Sequence, residues 1–194
     1  MYRSRLEYRA LLAMLVVILP LVLGEWAPSL HAAPATNVRG LFPPASVYPK
    51  GTHLLPLYIS TRVSDVADPA VAVQVDRFRF LVGGVQDANL PTQAVTSVTV
   101  LAFADARVAN AFLHAYHPSE LQNPAAPGTP ISRFGVGARY IVGGCANCGP
   151  TAPRLGVLLL RREASTVEIV SQPPNHALVM RLANAINHPG TRTP

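Results

Sequence analysis

The sequence predicts an α+β fold: an antiparallel or mixed sheet with two helices packed on one face, preceded by a signal peptide or N-terminal anchor. Three observations carry this. Short runs of period-two apolar alternation recur along the chain, as strands require. Twice, at 97–117 and 166–187, a strand pattern leads into an apolar stripe of helical period. Ahead of both, a basic and then apolar start has the order of an export signal.

Residues 1–9 carry Arg3, Arg5 and Arg9 against a single acid, Glu7. Residues 10–23 are apolar and broken only by Pro20, and a small-residue stretch, His31-Ala32-Ala33-Pro34-Ala35, follows. Basic flank, apolar core and A-x-A-like site describe a secretory leader over residues 1–35. Leu30-His31-Ala32 and Ala33-Pro34-Ala35 are the candidate cleavage triplets, and Pro34 disfavours the second. An uncleaved anchor competes with this reading. It needs roughly 20 apolar residues, and the core stops short at Glu25. Pro20 would also cost an interior helical hydrogen bond. In either case the remainder is expected outside the cytoplasm, secreted or at the cell envelope. The membrane would then be touched only if residues 10–24 are retained. No cysteine lies near the end of the apolar run, which excludes lipid attachment there.

Without the leader about 160 residues remain, enough for one domain. Positive mean hydropathy and few charges exclude disorder. The chain is formally +6, with Lys50 its only lysine, and the arginines are scattered without a basic run. No aromatic interleaving accompanies them, so nucleic acid is not an expected ligand. An envelope protein or an anionic envelope polymer is the expected class of partner.

Residues 36–56, with Pro43, Pro44, Pro49 and Pro56, read as a Pro-rich tether or peripheral wrap. Residues 57–188 form the single α+β domain. At its start, residues 54–63 suggest an edge strand, since Pro56 cannot donate to a ladder. Val71, Val73 and Val75 alternate like a strand. The apolar parity then shifts to Phe78, Phe80 and Val82, which implies a bulge near Asp76. Gly83-Gly84 reads as a turn needing positive φ.

Residues 97–103 make a further strand, and Asp105 stands where a helix N-cap belongs. Val108, Ala111, Phe112 and Ala115 fall on one helix face, and Pro118 stops the helix. Residues 139–142 form a short strand ended by Gly143-Gly144. The continuous apolar run 155–160 suits a strand buried on both faces. Residues 166–171 are its hairpin partner. Pro173-Pro174-Asn175 breaks the sheet and caps a last helix that buries Leu178, Val179, Leu182 and Ile186. Pro189-Gly190 ends it, and residues 189–194 are a tail. Arg79-Phe80-Leu81-Val82-Gly83-Gly84 is echoed by Arg139-Tyr140-Ile141-Val142-Gly143-Gly144. Together the two strand-then-helix units suggest a ferredoxin-like sheet or a relative of it.

The strand-helix pair at 98–116 and the hairpin and helix at 155–186 resemble domains of uncharacterised exported or membrane-tethered bacterial proteins. In these, a strand-helix pair precedes a hairpin whose turn carries Arg and whose second strand leads to an Ala/Leu-rich helix. The resemblance implies an exported α+β domain and no activity, ligand or site residue.

Cys145-Ala146-Asn147-Cys148 is the one motif with chemical content. An oxidising compartment and only two cysteines lead to a Cys145–Cys148 disulfide closing the loop. A redox site would need a helix after the first cysteine, where Gly149, Pro150 and Pro153 stand instead. A zinc site would need two further ligands, and haem attachment needs a histidine where Gly149 stands.

His114 and His117, with Glu120 beyond Pro118, have a spacing that can bind metal. Their positions off the Val108/Phe112 face favour a solvated helix side instead. His53 and His176 carry no motif, and His188 suits a helix C-terminus. Phe134-Gly135-Val136-Gly137 lacks the third glycine of a dinucleotide loop, Tyr140 occupying its place, and it opens no helix.

No cofactor, metal or catalytic residue is therefore expected. The expected function is a non-enzymatic extracytoplasmic binding or interaction domain. The alternative is an exported thiol-disulfide or metal-dependent protein using the Cys145/Cys148 loop. An enzyme assembled from residues dispersed along the chain is the third class, since such sites are recognised by geometry alone.

Overall fold

The computed structural model describes residues 37–146 and 154–188. The leader expected over 1–35, the tail over 189–194 and Cys148 lie outside these residues. Among those described, no helix is long and apolar enough to cross a membrane.

Among the described residues, β1 (His53–Leu54) and β2 (Tyr58–Ser60) precede the first α-helix, α1 (Pro69–Val75). There follow β3 (Phe80–Asn89), β4 (Val95–Phe103), α2 (Ala106–Ala115), β5 (Thr129–Pro130) and β6 (Arg139–Gly144). A hairpin of β7 (Arg154–Arg162) and β8 (Ser165–Gln172) leads to α3 (His176–Asn187). The strands form one sheet in the order β1-β3-β4-β8-β7-β6-β5, with β2 also on β3. Every pairing is antiparallel. The α+β class and antiparallel sheet are thus as expected, but the strand number and order are not ferredoxin-like.

The helices do not share a face. Val98, Val100, Leu158, Leu160, Val167 and Ile169 pack with α3, whereas Leu101, Phe103, Val157 and Leu159 pack with α2. Alternate residues of the same strands therefore feed two cores. The physical reason lies in β7, whose residues 155–160 are all buried. A strand apolar on both sides needs a covering layer on each.

Residues 37–56 are not a free tether. Val38, Leu41 and Tyr48 are buried in the α3-side core with Ala88 and Leu90. The segment is a wrap packed into the core on the α3 side of the sheet.

Val71 and Val75 belong to α1 and not to a strand. Asp68 accepts hydrogen bonds from the Ala70 and Val71 amides at 2.8 and 3.0 Å, and Pro69 occupies the first turn. Val71 and Val75, four apart, are buried, while Val73 is 61% exposed. The expected bulge near Asp76 moves accordingly: the register shift falls between Phe80 and Val82.

Gly83 and Gly84 are not a turn but lie inside β3. A Cβ on Gly83 would meet Val66 at 2.9 Å, and one on Gly84 would meet the Tyr58 carbonyl at 3.0 Å. Close crossing by other segments is what requires glycine there. Gly143 and Gly144 in β6 likewise make room, for Leu121 and Gln122. The echo between 79–84 and 139–144 falls on β3 and β6, each paired antiparallel with the strand that follows it, β4 and β7.

Asp105 caps α2 by accepting from the Val108 amide at 2.8 Å. The buried face of α2 is rotated from the expected one: Ala109, Phe112 and Leu113 point inward, and Ala111 and Ala115 are exposed. Larger side chains bury more apolar area and set the rotation. Phe112 stacks among Phe78, Phe103 and Tyr116 with ring centroids at 5.4, 4.9 and 5.0 Å. On α3 the four expected residues are buried, and Asn175 caps the helix through the Leu178 amide at 3.0 Å.

Candidate functional site

Tyr116 is the residue at which α2 ends, and the chain beyond it threads back across the domain. Arg139 of β6 secures that end. Its guanidinium donates to the carbonyls of Leu113 at 2.9 Å and Tyr116 at 2.7 Å. Partial burial pulls the Arg139 pKa down from its ordinary value. Gln74 of α1 accepts from the His117 amide at 3.2 Å and donates to the His117 carbonyl at 3.3 Å. Ser119 donates to the other oxygen of Asp68, the residue that caps α1. Further on, the Gln122 amide donates to the Gly144 carbonyl at 2.9 Å and the Ala146 amide to the Glu120 carbonyl at 2.7 Å. Leu121 and Cys145 form an isolated antiparallel bridge between these two bonds.

This threading brings three carboxyls together. Glu168 lies in the middle of β8 on the α2 side and is only 7% exposed. The Tyr116 hydroxyl donates to Glu168 Oε2 at 2.5 Å. Glu120, from the segment after α2, comes within hydrogen-bonding range of Glu168, and Asp68 is near enough for its charge to act on both. Glu168 Oε1 and Glu120 Oε2 are both buried and have no hydrogen-bond donor among the described residues. Two ionised carboxylates have no proton to offer each other. A proton on Glu168 donated to Glu120 satisfies both oxygens at once.

Electrostatics favour that arrangement. Burial pushes the Glu168 pKa well up, and the Glu120 charge pushes further, against the Tyr116 hydrogen bond that favours the anion. Burial also raises Glu120, and the nearby Asp68 charge adds to it. Its own backbone amide and the bond with Glu168 pull the other way. The Tyr116 hydroxyl is raised well above its usual value by burial first, then by the Glu168 and Glu120 charges. Burial and like charge thus favour the protonated form of these carboxyls.

The residues singled out in the sequence are dispersed. Cys145, 7% exposed, follows β6 and bridges Leu121; its expected partner Cys148 lies outside the described residues. Glu120 turns inward, while His114 and His117 stay exposed. His117 Nδ1 lies 3.2 Å from the Pro124 carbonyl. Among the described residues no three histidines, cysteines or acids are placed to hold a metal. His53 lies on β1, His176 meets the Tyr140 ring edge-on at 5.0 Å, and His188 follows the last turn of α3. Gly135 and Gly137, at φ 95° and 84°, turn the chain into β6. Glu168 had one available signal, a lone charge inside the apolar run Thr166-Val167-Glu168-Ile169-Val170.

A second feature is electrostatic. Phe80 pairs with Phe103, Ala102 with Ser165, and Arg162 with Ser165, so these strand ends share one end of the sheet. Arg77, Arg79, Arg107, Arg161 and Arg162 are placed at that end. Asp76, Asp105 and Glu163 accompany them. Asp105 is engaged as a cap, and Glu163 joins Arg162 at 3.6 Å in the one ion pair among the described residues. Arg77, Arg79 and Arg107 are exposed.

No protein-family model matches the sequence, and no curated protein matches it. Among solved structures, the chain is similar to the extracellular domain of PknH from Mycobacterium tuberculosis. The TM-score is 0.50 at 12% identity, over 78% of this chain and 93% of that one. The likeness is one of fold. It embraces a layered sheet of this kind and transfers neither ligand nor partner.

Proposed function

We propose that this chain is a non-enzymatic interaction domain working outside the cytoplasm, docking on an anionic partner at the cell envelope. The observation that carries the reading is the arginine-bearing end of the sheet. There, Arg77, Arg79 and Arg107 are exposed without an ion pair among the described residues. A surface of this kind attracts polyanions through their phosphate or carboxylate groups. The basic and apolar leader and the shared fold with a domain described as extracellular support the address. The inward burial of Glu168 supports a scaffold role for the acids over acid–base catalysis on a substrate. A Cys145–Cys148 bridge belongs to the same reading, as a restraint on the loop after β6.

Co-sedimentation of the exported protein with phospholipid vesicles tests the docking face. Vesicles rich in anionic lipid should retain it at about 50 mM salt and release it at about 500 mM. Zwitterionic vesicles report any contribution of a retained leader, which needs no surface charge. Each cation near such a surface contributes about 1 kcal/mol. Combining Arg77→Gln, Arg79→Asn and Arg107→Gln should therefore weaken binding roughly 100-fold. Unchanged binding by the triple variant would overturn the proposal.

A further inference from the structure

We infer that Glu120 and Glu168 share one proton that clasps the segment 116–122 to the sheet, and that its loss as pH rises releases this segment together with the Cys145 strand end. The inference stands on geometry. Glu168 is fixed in β8, a strand paired on both sides. Glu120 is carried by the non-helical stretch that leaves α2. The two side chains come within hydrogen-bonding range of each other, and Glu168 Oε1 and Glu120 Oε2 are buried without a donor among the described residues.

Every charged group near the pair fails to replace the proton. From the end of α2, Tyr116 already donates to the other Glu168 oxygen. From α1, Asp68 brings a further negative charge, and Ser119 donates to it. Arg139 of β6 is committed to the Leu113 and Tyr116 carbonyls. Arg161 of β7 donates through one Nη to the Glu163 carbonyl; its Nε is buried without an acceptor among the described residues, and its charge is not among those acting on Glu168 or Glu120. Asp105 and Arg107 lie at the far, N-terminal end of α2, and His114 is exposed. His117 is held at its backbone by Gln74 and at its ring by Pro124.

A separate glutamate in an unfolded chain titrates at about 4.3. The folded pair holds its proton to higher pH. The sign follows. The clasp is fully present below about pH 4.3 and is lost as pH rises through the value of the folded pair. Between these limits, opening of the segment gains up to tenfold per pH unit, one proton being released per opening. Above the upper limit, two like charges in contact drive the movable partner, Glu120, outward. The Leu121–Cys145 bridge and the Ala146 bond to Glu120 go with it.

Amide exchange on the full exported chain, corrected for intrinsic rates, tests this from about pH 5 to about pH 9. The Gln122 and Ala146 amides should lose protection as pH rises, and at alkaline pH they should exchange well before the β4 amides, which report global unfolding. Glu168→Gln supplies a permanent N–H donor to Glu120 and should make the Gln122 and Ala146 protection flat with pH. Glu120→Gln does the same from the other side and serves if the first variant folds poorly. Protection in the wild type that is flat with pH would overturn the inference. So would an unchanged pH slope in a folded variant. Calcium that restores protection at alkaline pH would also overturn it, because a cation would then take the place assigned to the proton.

Discussion

The Tyr116 hydroxyl and Glu168 Oε2, from residues 52 positions apart in sequence, are joined by a buried hydrogen bond of 2.5 Å. It ties the end of α2 to the centre of the sheet at a depth where neither group can turn to water. Net stabilisation by a satisfied pair is modest, but removal of one partner exposes the other to the full desolvation penalty.

Tyr116→Phe should therefore cost about 1–3 kcal/mol, although the ring and its packing against Phe112 are retained. Urea denaturation near neutral pH measures it. A midpoint equal to that of the wild type would mean that the bond carries no stability.

Glu168→Gln should act through pH. In the wild type, global stability falls as pH rises above about 4.3 toward the value of the folded pair. The glutamine keeps an oxygen for Tyr116 and offers a donor to Glu120 without a charge to desolvate. Thermal melting at a series of pH values should show the variant equal to the wild type or slightly weaker in acid, and more stable in alkali. Parallel curves would contradict the shared proton.

Phe112→Ala should cost about 3–5 kcal/mol. The ring is fully buried between Phe78, Phe103 and Tyr116, so its removal leaves a cavity that three aromatic neighbours cannot fill. Denaturation of the purified protein checks it. A melting curve left in place would mean that α2 is not docked on the sheet.

The strands at 97–103, 155–160 and 166–171 were legible because each has a period or a run that only a sheet buries. Both long helices were legible from their caps, Asp105 and Asn175. The α1 helix was not, because Val71, Val73 and Val75 fit a strand period and the Asp68-Pro69 cap decides against it. The opposite placement of α2 and α3 was implicit in the doubly buried run of β7. The acid cluster was the least legible part. Glu120, Asp68 and Glu168 converge only through the long return of the chain after Pro118, and no spacing in sequence encodes that meeting.

Residues 145 and 148 should be bridged in protein purified in air, with no titratable thiol. The ring is short, so the entropic gain is small. A double Cys145→Ser, Cys148→Ser variant should still fold. Two free thiols with insulin-reducing activity would restore the thiol-disulfide alternative instead.

The proposed place of action of this domain is outside the cytoplasm. The most direct test is protease access in intact spheroplasts of a bacterium expressing the full chain with a C-terminal tag. The tag and any retained domain should be digested from outside, with the secreted fraction shortened at its start near residues 32–35. Full-length protein beginning at Met1, protected until the cells are lysed, would contradict the account.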